Sequence, residues 1–192
     1  MINEDLLLDS LYKFYDNPYN GSRLVSILKG ETNTSLRSVD WFITNYSKKN
    51  NIYYNIYRTK NNIPSFSEKD NHLVCNLNVF QSYKSQLRAY SKKRFDPFCR
   101  RNRIKYNCQG EILDTTIGQL NFFKWAISNL ILDYIKINKS SIELDMNTCL
   151  KEMKVNGSLM KKEGKRKKRQ ELSLSATRGL SRNNVLVRLD FN

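Results

Sequence analysis

From Thr116 to Tyr134 the chain carries its strongest helical signal. Thr116 and Gln119 stand at the spacing of a capping box, in which the hydroxyl and the side-chain amide satisfy free backbone N–H groups at a helix start. Behind them Leu120, Phe123, Ile127, Leu130, Ile131 and Tyr134 recur as a continuous apolar stripe. Such a stripe draws its stability from burial, and the chain can bury it: 40% of its 192 residues are hydrophobic, with eleven Tyr, nine Phe and two Trp. The length suits one domain, or one domain with an extension.

Weaker patterns surround this helix. Leu8, Leu11, Tyr12 and Tyr15 predict a short first helix ending at Asp16-Asn17-Pro18, and Leu24, Ile27 and Leu28 predict a second, closed by Gly30. A longer helix is predicted from Ser35, with Leu36, Val39, Phe42, Ile43 and Tyr46 on one face, stopping at Lys48-Lys49-Asn50-Asn51. The strand formers of 52–57 predict a strand, residues 59–71 an exposed loop, and Leu73 to Leu77 a brief second strand. Phe80, Tyr83, Leu87 and Tyr90 define an amphipathic helix broken by Pro97, and Arg103 to Cys108 alternates as a third strand that turns at Gln109-Gly110. Ser140 or Ser141 caps a last helix reaching Leu150 or Met153. Past Gly157 little core-forming pattern remains until Val185-Leu186-Val187, an edge strand or a disordered piece. Together these predict an α+β fold, a predominantly helical single domain with a small sheet over 1–155, followed by a basic flexible extension over 156–192.

The net charge of +15 is unevenly spread. Residues 1–83 carry 9 basic and 8 acidic side chains, 84–105 carry 9 and 1, 106–150 carry 3 and 5, and 151–192 carry 12 and 4, so the balances are +1, +8, −2 and +8. The first basic segment interleaves its cations with Tyr90, Phe95 and Phe98, as a folded surface does. Within the second, Lys161 to Arg169 holds seven Lys or Arg in nine residues and nothing apolar, as a tether does. Lys84, Arg88 and Lys92 stand four apart, one row on the predicted helix, and Lys93, Arg94, Arg100, Arg101 and Arg103 carry the charge across the Pro97 turn. Like charges at that spacing repel by roughly a few tenths of a kcal/mol per pair, a cost that a polyanion turns into attraction.

Nucleic acid, DNA or RNA, is the partner this distribution predicts, because neutralising phosphates releases condensed counterions. Neither basic segment has the wide apolar face of an interfacial helix. An ordinary solvated face is the alternative. Abundant Asn, Lys, Ile and Tyr, with three Ala and three Pro, suggest an AT-rich coding sequence that explains part of the Lys excess but not its clustering. Phe95 and Phe98, flanking Asp96-Pro97, either stack on bases or anchor the loop to the core. In the tail, Lys165, Arg166, Lys167, Lys168 and Arg169 read as a nucleic-acid tether, an import signal or a solvated run.

Other classes are less favoured. Cys75, Cys99, Cys108 and Cys149 are too few for a disulfide-dense secreted scaffold, and the acidic start Met1-Ile2-Asn3-Glu4-Asp5 is unlike a signal peptide. The most apolar stretch, Phe122 to Ile137, is interrupted by Lys124, Asn129, Asp133 and Lys136, so no membrane insertion is expected and the protein is placed inside the cell, in cytoplasm or nucleus. His72, Cys75, Cys99 and Cys108 make a candidate Cys3His zinc set, but the gap between the last two departs from paired-ligand spacing, so no metal or other cofactor is expected. A Cys/His nucleophilic pair would have to use His72, the single histidine. Glu152-Met153-Lys154 has the acid-x-Lys ending of some metal-dependent nuclease motifs without an upstream Asp, and Glu143 and Asp145 point to different sides of a helix. No catalytic residue is expected.

Three stretches carry a resemblance: Leu36-Arg37-Ser38-Val39-Asp40-Trp41-Phe42-Ile43-Thr44-Asn45-Tyr46, Tyr83 to Arg101 with its Phe95-Asp96-Pro97-Phe98-Cys99-Arg100-Arg101, and Thr115 to Tyr134. Over 35–137 the chain resembles a family of uncharacterised proteins encoded by nucleocytoplasmic large DNA viruses. The resemblance implies a viral origin, in a setting where viral proteins replicate, transcribe and package DNA, and a place in the host cell or the virion. It implies no catalytic residues. The expectation is therefore a non-catalytic, sequence-tolerant nucleic-acid-binding protein. Its alternatives are a virion or assembly protein whose basic tail docks on nucleic acid or an acidic partner while the folded domain contacts other viral proteins, and a nucleic-acid-processing enzyme.

Overall fold

A computed structural model of the chain describes residues 4–69 and 71–160. Helix α1 (Glu4–Tyr15) packs on α2 (Pro18–Leu28), and Asn17 sets the turn between them. Its side-chain oxygen accepts the Tyr19 N–H at 3.0 Å while Pro18 opens the helix at a position that needs no N–H. Next comes a helix with a bulge. Ser35 caps α3 (Leu36–Trp41) by accepting the Ser38 N–H at 3.0 Å, and a single π turn, Phe42–Tyr46, leads into α4 (Ser47–Lys49). Thr44 and Ser47 donate their hydroxyls to the carbonyls of Asp40 and Ile43, at 2.7 and 2.9 Å, on either side of that widened turn.

Two small antiparallel sheets follow. In the first, β1 (Tyr53–Arg58) lies between β2 (Pro64–Ser65) and β3 (His72–Asn78). Cys75 faces Ile56 and Leu73 faces Tyr57, so Val74 is an extra residue and β3 is bulged there. No described strand pairs with the outer edge of β3, where Leu73 and Val74 are exposed. Asn78 caps α5 (Val79–Tyr90) by accepting the Gln81 N–H. The second sheet is the hairpin of β4 (Ile104–Cys108) and β5 (Glu111–Thr115), closed by Gln109 and Gly110 with φ of 53° and 82°, the signs that a tight two-residue hairpin turn demands. Three helices complete the described residues, α6 (Ile117–Ser128), α7 (Ile131–Ile137) and α8 (Lys139–Met160).

The core surrounds α6. Leu120, Phe122, Phe123, Trp125, Ala126 and Ile127 are all buried, so this helix is covered on every side, with α1, α2 and α7 against it. Tyr15 of α1 reaches in and donates its hydroxyl to the Leu120 carbonyl at 2.7 Å. The chain divides into two units, Met1–Glu152 and Met153–Asn192, and of the second only helix residues up to Met160 are described.

The predominantly helical α+β class is as expected, and several boundaries differ. The continuous stripe of 120–134 is two helices, because Leu130 takes a left-handed φ of 55° and Asn129 folds its amide back onto the Trp125 carbonyl at 2.7 Å. Half of the predicted capping box forms: Thr116 accepts the Gln119 N–H at 3.1 Å, but the Gln119 side chain is used elsewhere. Strand β5 and the two-residue β2 were not anticipated, and α8 runs on to Met160. Val185-Leu186-Val187 and the basic run Lys165, Arg166, Lys167, Lys168, Arg169 lie outside the described residues. No described helix is long and apolar enough to cross a membrane.

Candidate nucleic-acid interface

The basic segment is mounted on α6 through a loop that the sequence left as a turn. Helix α5 buries Val79 and Tyr83 and presents Lys84 and Arg88 to solvent, four residues apart on its outer face. It ends at Tyr90, where Ser91 adopts a φ of 57°. Lys92 therefore leaves the predicted row of Lys84, Arg88 and Lys92 and stands, exposed, beside Lys93 at the start of the loop.

The loop is held from below. Phe95, only 2% exposed, enters the core between Tyr83, Phe122 and Trp125, with ring centroids 6.0, 5.2 and 5.6 Å away. The Asp96 N–H donates to the Gly118 carbonyl at 3.2 Å, Gln119 Nε2 to the Pro97 carbonyl at 2.9 Å, and Asn121 Nδ2 to the Arg94 carbonyl at 2.9 Å. Thr115 Oγ1 completes the set by donating to Gln119 Oε1 at 2.8 Å. Gly118 lets the two backbones approach: a Cβ there would stand 3.1 Å from the Lys93 carbonyl oxygen.

The arginines divide into two groups. Arg94 gives both Nε and Nη2 to Glu4 Oε1, at 3.1 and 2.8 Å, and these hydrogen bonds with the Arg94 charge hold the Glu4 carboxyl below its usual range. Arg100 grips Asp96 with a fork, Nε to Oδ2 at 3.0 Å and Nη2 to Oδ1 at 2.8 Å, and its guanidinium lies 4.7 Å over the Phe98 ring. The hydrogen bond to Asp96 raises the Arg100 guanidinium above its ordinary value against some loss of solvent, with the charges of Asp96 and Asp40 adding to it. Asp96 Oδ1 also accepts the Phe98 N–H at 3.2 Å, which closes the turn around Pro97. Arg101, Arg103 and Lys105 are exposed.

One cation escaped the sequence reading. Lys48 Nζ of α4 lies 5.6 Å from the centroid of Phe80, and Lys84 Nζ lies 5.9 Å from the same centroid, so Lys48 joins the α5 face. Its place in the Lys48-Lys49 pair marked only a helix end; Lys49, by contrast, is bound to Asp145 Oδ1 at 2.6 Å. Asp145 also accepts the Trp41 Nε1–H at 2.9 Å and so ties α8 to α3. The candidate zinc residues are scattered. His72 and Cys75 are exposed on β3, Cys99 is half-buried in the loop, and Cys108 is buried on β4 with its Sγ 3.8 Å from the Gly21 carbonyl. Among the described residues no group of three or more His, Cys, Asp or Glu is placed to hold a metal. Burial pushes the Cys108 thiol up, away from a reactive thiolate.

An uncharacterized protein of Acanthamoeba polyphaga mimivirus is 39% identical over 155 residues, which cover 77% of this chain and 55% of that protein. The chain thus spans about half the length of this relative. No solved structure matches. The relative comes from a large DNA virus, in keeping with the resemblance carried by 35–137, and a family profile matches residues 2–162. The chain belongs to that family, the family of unknown function DUF7197.

Proposed function

We propose that this protein binds nucleic acid, DNA or RNA, without reading its sequence and without catalysing a reaction on it. The face that does so is formed by Lys84 and Arg88 of α5, Lys92, Lys93, Arg101 and Arg103 of the loop, and Lys48 beside them. What supports the reading is how this charge is carried. A face that serves only solubility needs no fixed geometry, yet here the exposed cations flank a loop whose backbone is bound at Arg94, Asp96 and Pro97 to the start of α6. A loop backbone already held in place loses little further freedom when phosphates meet its cations.

Fluorescence anisotropy with labelled oligonucleotides at stepped salt concentrations tests this. If about five of these cations meet duplex phosphates, log K falls against log salt with a slope of about −4 to −5. A flat salt response overturns the proposal.

A further inference from the structure

We infer that the ligand of this face is a duplex gripped by its phosphates rather than a single strand held by its bases, an inference that rests on the nucleic-acid reading above. The two ligands make different demands. A single strand is bound by stacking bases on aromatic rings as well as by charge, and each stacked base contributes substantially. A duplex hides its bases and offers about one negative charge per 1.7 Å of its axis, so it rewards cations alone.

The aromatic rings of this region are already engaged within the protein. Phe95 is in the core, and Tyr90 stacks on it at 6.5 Å. Phe98 has the Arg100 guanidinium 4.7 Å over its ring, and Arg100 is fixed there by its fork on Asp96. Phe80 has two ammonium groups near its ring, from Lys48 and Lys84. Tyr106 is buried, stacked on Tyr12 at 4.8 Å and edge-on to Tyr15. The exposed cations of the same region are Lys84, Arg88, Lys92, Lys93, Arg100, Arg101, Arg103 and Lys105, of which Arg100 is engaged with Asp96.

Rigidity points the same way. With the loop backbone bound to Gly118, Gln119 and Asn121, the loop offers its cations from a fixed frame. They can match a stiff, regular array of phosphates. The proposed division of labour leaves Arg94 and Arg100 as internal braces and gives the contacts to their exposed neighbours.

The test compares full-length protein on a duplex and on a single strand of equal phosphate count, by anisotropy at two salt concentrations, with duplex DNA and duplex RNA as separate arms. The expected result is duplex bound about tenfold or more tightly than single strand, with a Phe98→Leu variant leaving the ratio unchanged. A Lys92→Gln, Lys93→Gln, Arg101→Gln, Arg103→Gln variant, its fold checked by circular dichroism, loses most of that preference. The tighter of the two duplex arms then identifies whether DNA or RNA is the source of the phosphates. Equal or tighter binding of single strand, weakened by Phe98→Leu, overturns the inference and leaves the broader reading standing. Absence of salt-dependent binding to any of these probes overturns both.

Discussion

Arg100 and Arg101 are adjacent in sequence and have opposite situations. Arg100 holds Asp96, whose side chain is nearly buried, whereas Arg101, exposed like it, pairs with no described residue. Hydrogen bonds to a charged partner contribute about 1.5–3 kcal/mol, reduced here because Arg100 is about a third exposed. Arg100→Gln is therefore expected to lower stability by about 1–2 kcal/mol in chemical denaturation while changing the salt slope of binding little. Arg101→Gln is expected to do the reverse, with stability kept within about 0.5 kcal/mol and a shallower salt slope. Equal losses of affinity in both variants would refute the brace. The residue types of this region were legible in the sequence, but the pairing was not. Asp96 and Arg100 are four apart, a spacing that signals contact on a helix, yet here Pro97 lies between them and only the turn brings them together. Phe95 could be read as anchor or as stacking platform until Phe122 and Trp125 were seen around it.

At the scale of elements, the beginning of α6 does two jobs. Thr116 caps the helix, and Gln119, freed from the second half of the capping box, ties Pro97 and Thr115 together instead. Removing its amide strands a buried hydroxyl and a carbonyl, so Gln119→Ala is expected to cost about 2–3 kcal/mol and to loosen the loop. Denaturant unfolding measures the first effect. Proteolysis between Ser91 and Arg103 measures the second, and an unchanged cleavage rate would count against the clamp. The existence of the core helix was readable because its stripe is strong. Its end was not, because α6 is buried on nearly every side and Leu130 continues the stripe through a left-handed residue that composition alone does not announce. Strand β5 was hidden for the opposite reason: Ile112 points into solvent at 70% exposure beside exposed Glu111 and Asp114, so the alternation that marks a half-buried strand is blurred.

Across the whole molecule, phenols hold distant parts together. Tyr15 donates to the Leu120 carbonyl, Tyr54 donates to the Asn129 carbonyl at 2.7 Å, and Tyr106 packs between α1 and the hairpin core. Burial pushes all three above the usual tyrosine value. The unfolded chain ionises them near pH 10 while the folded chain keeps their protons, so the stability they contribute is complete below about pH 10 and is lost as pH rises beyond it. Lys124, whose amine is lowered by burial, acts in the opposite sense on the approach to 10.5, while Tyr134 and Cys108, also raised by burial, add to the loss. Tyrosinate absorbance followed with circular dichroism should show part of the ionisation arriving together with loss of helix; complete ionisation of a still-helical protein would contradict the burial. The edge of β3 that no described strand covers has a practical outcome for anyone handling the protein. Its net charge of +15 keeps copies apart in dilute buffer, and salt at 1 M shortens the reach of that repulsion to about 3 Å. The bulge at Val74 then guards an edge on which Leu73 and Val74 are uncovered. Concentrating the protein in high salt should raise its light scattering, and Val74→Lys should hold it clear, so the salt that quiets its charges is also the condition in which it first turns cloudy.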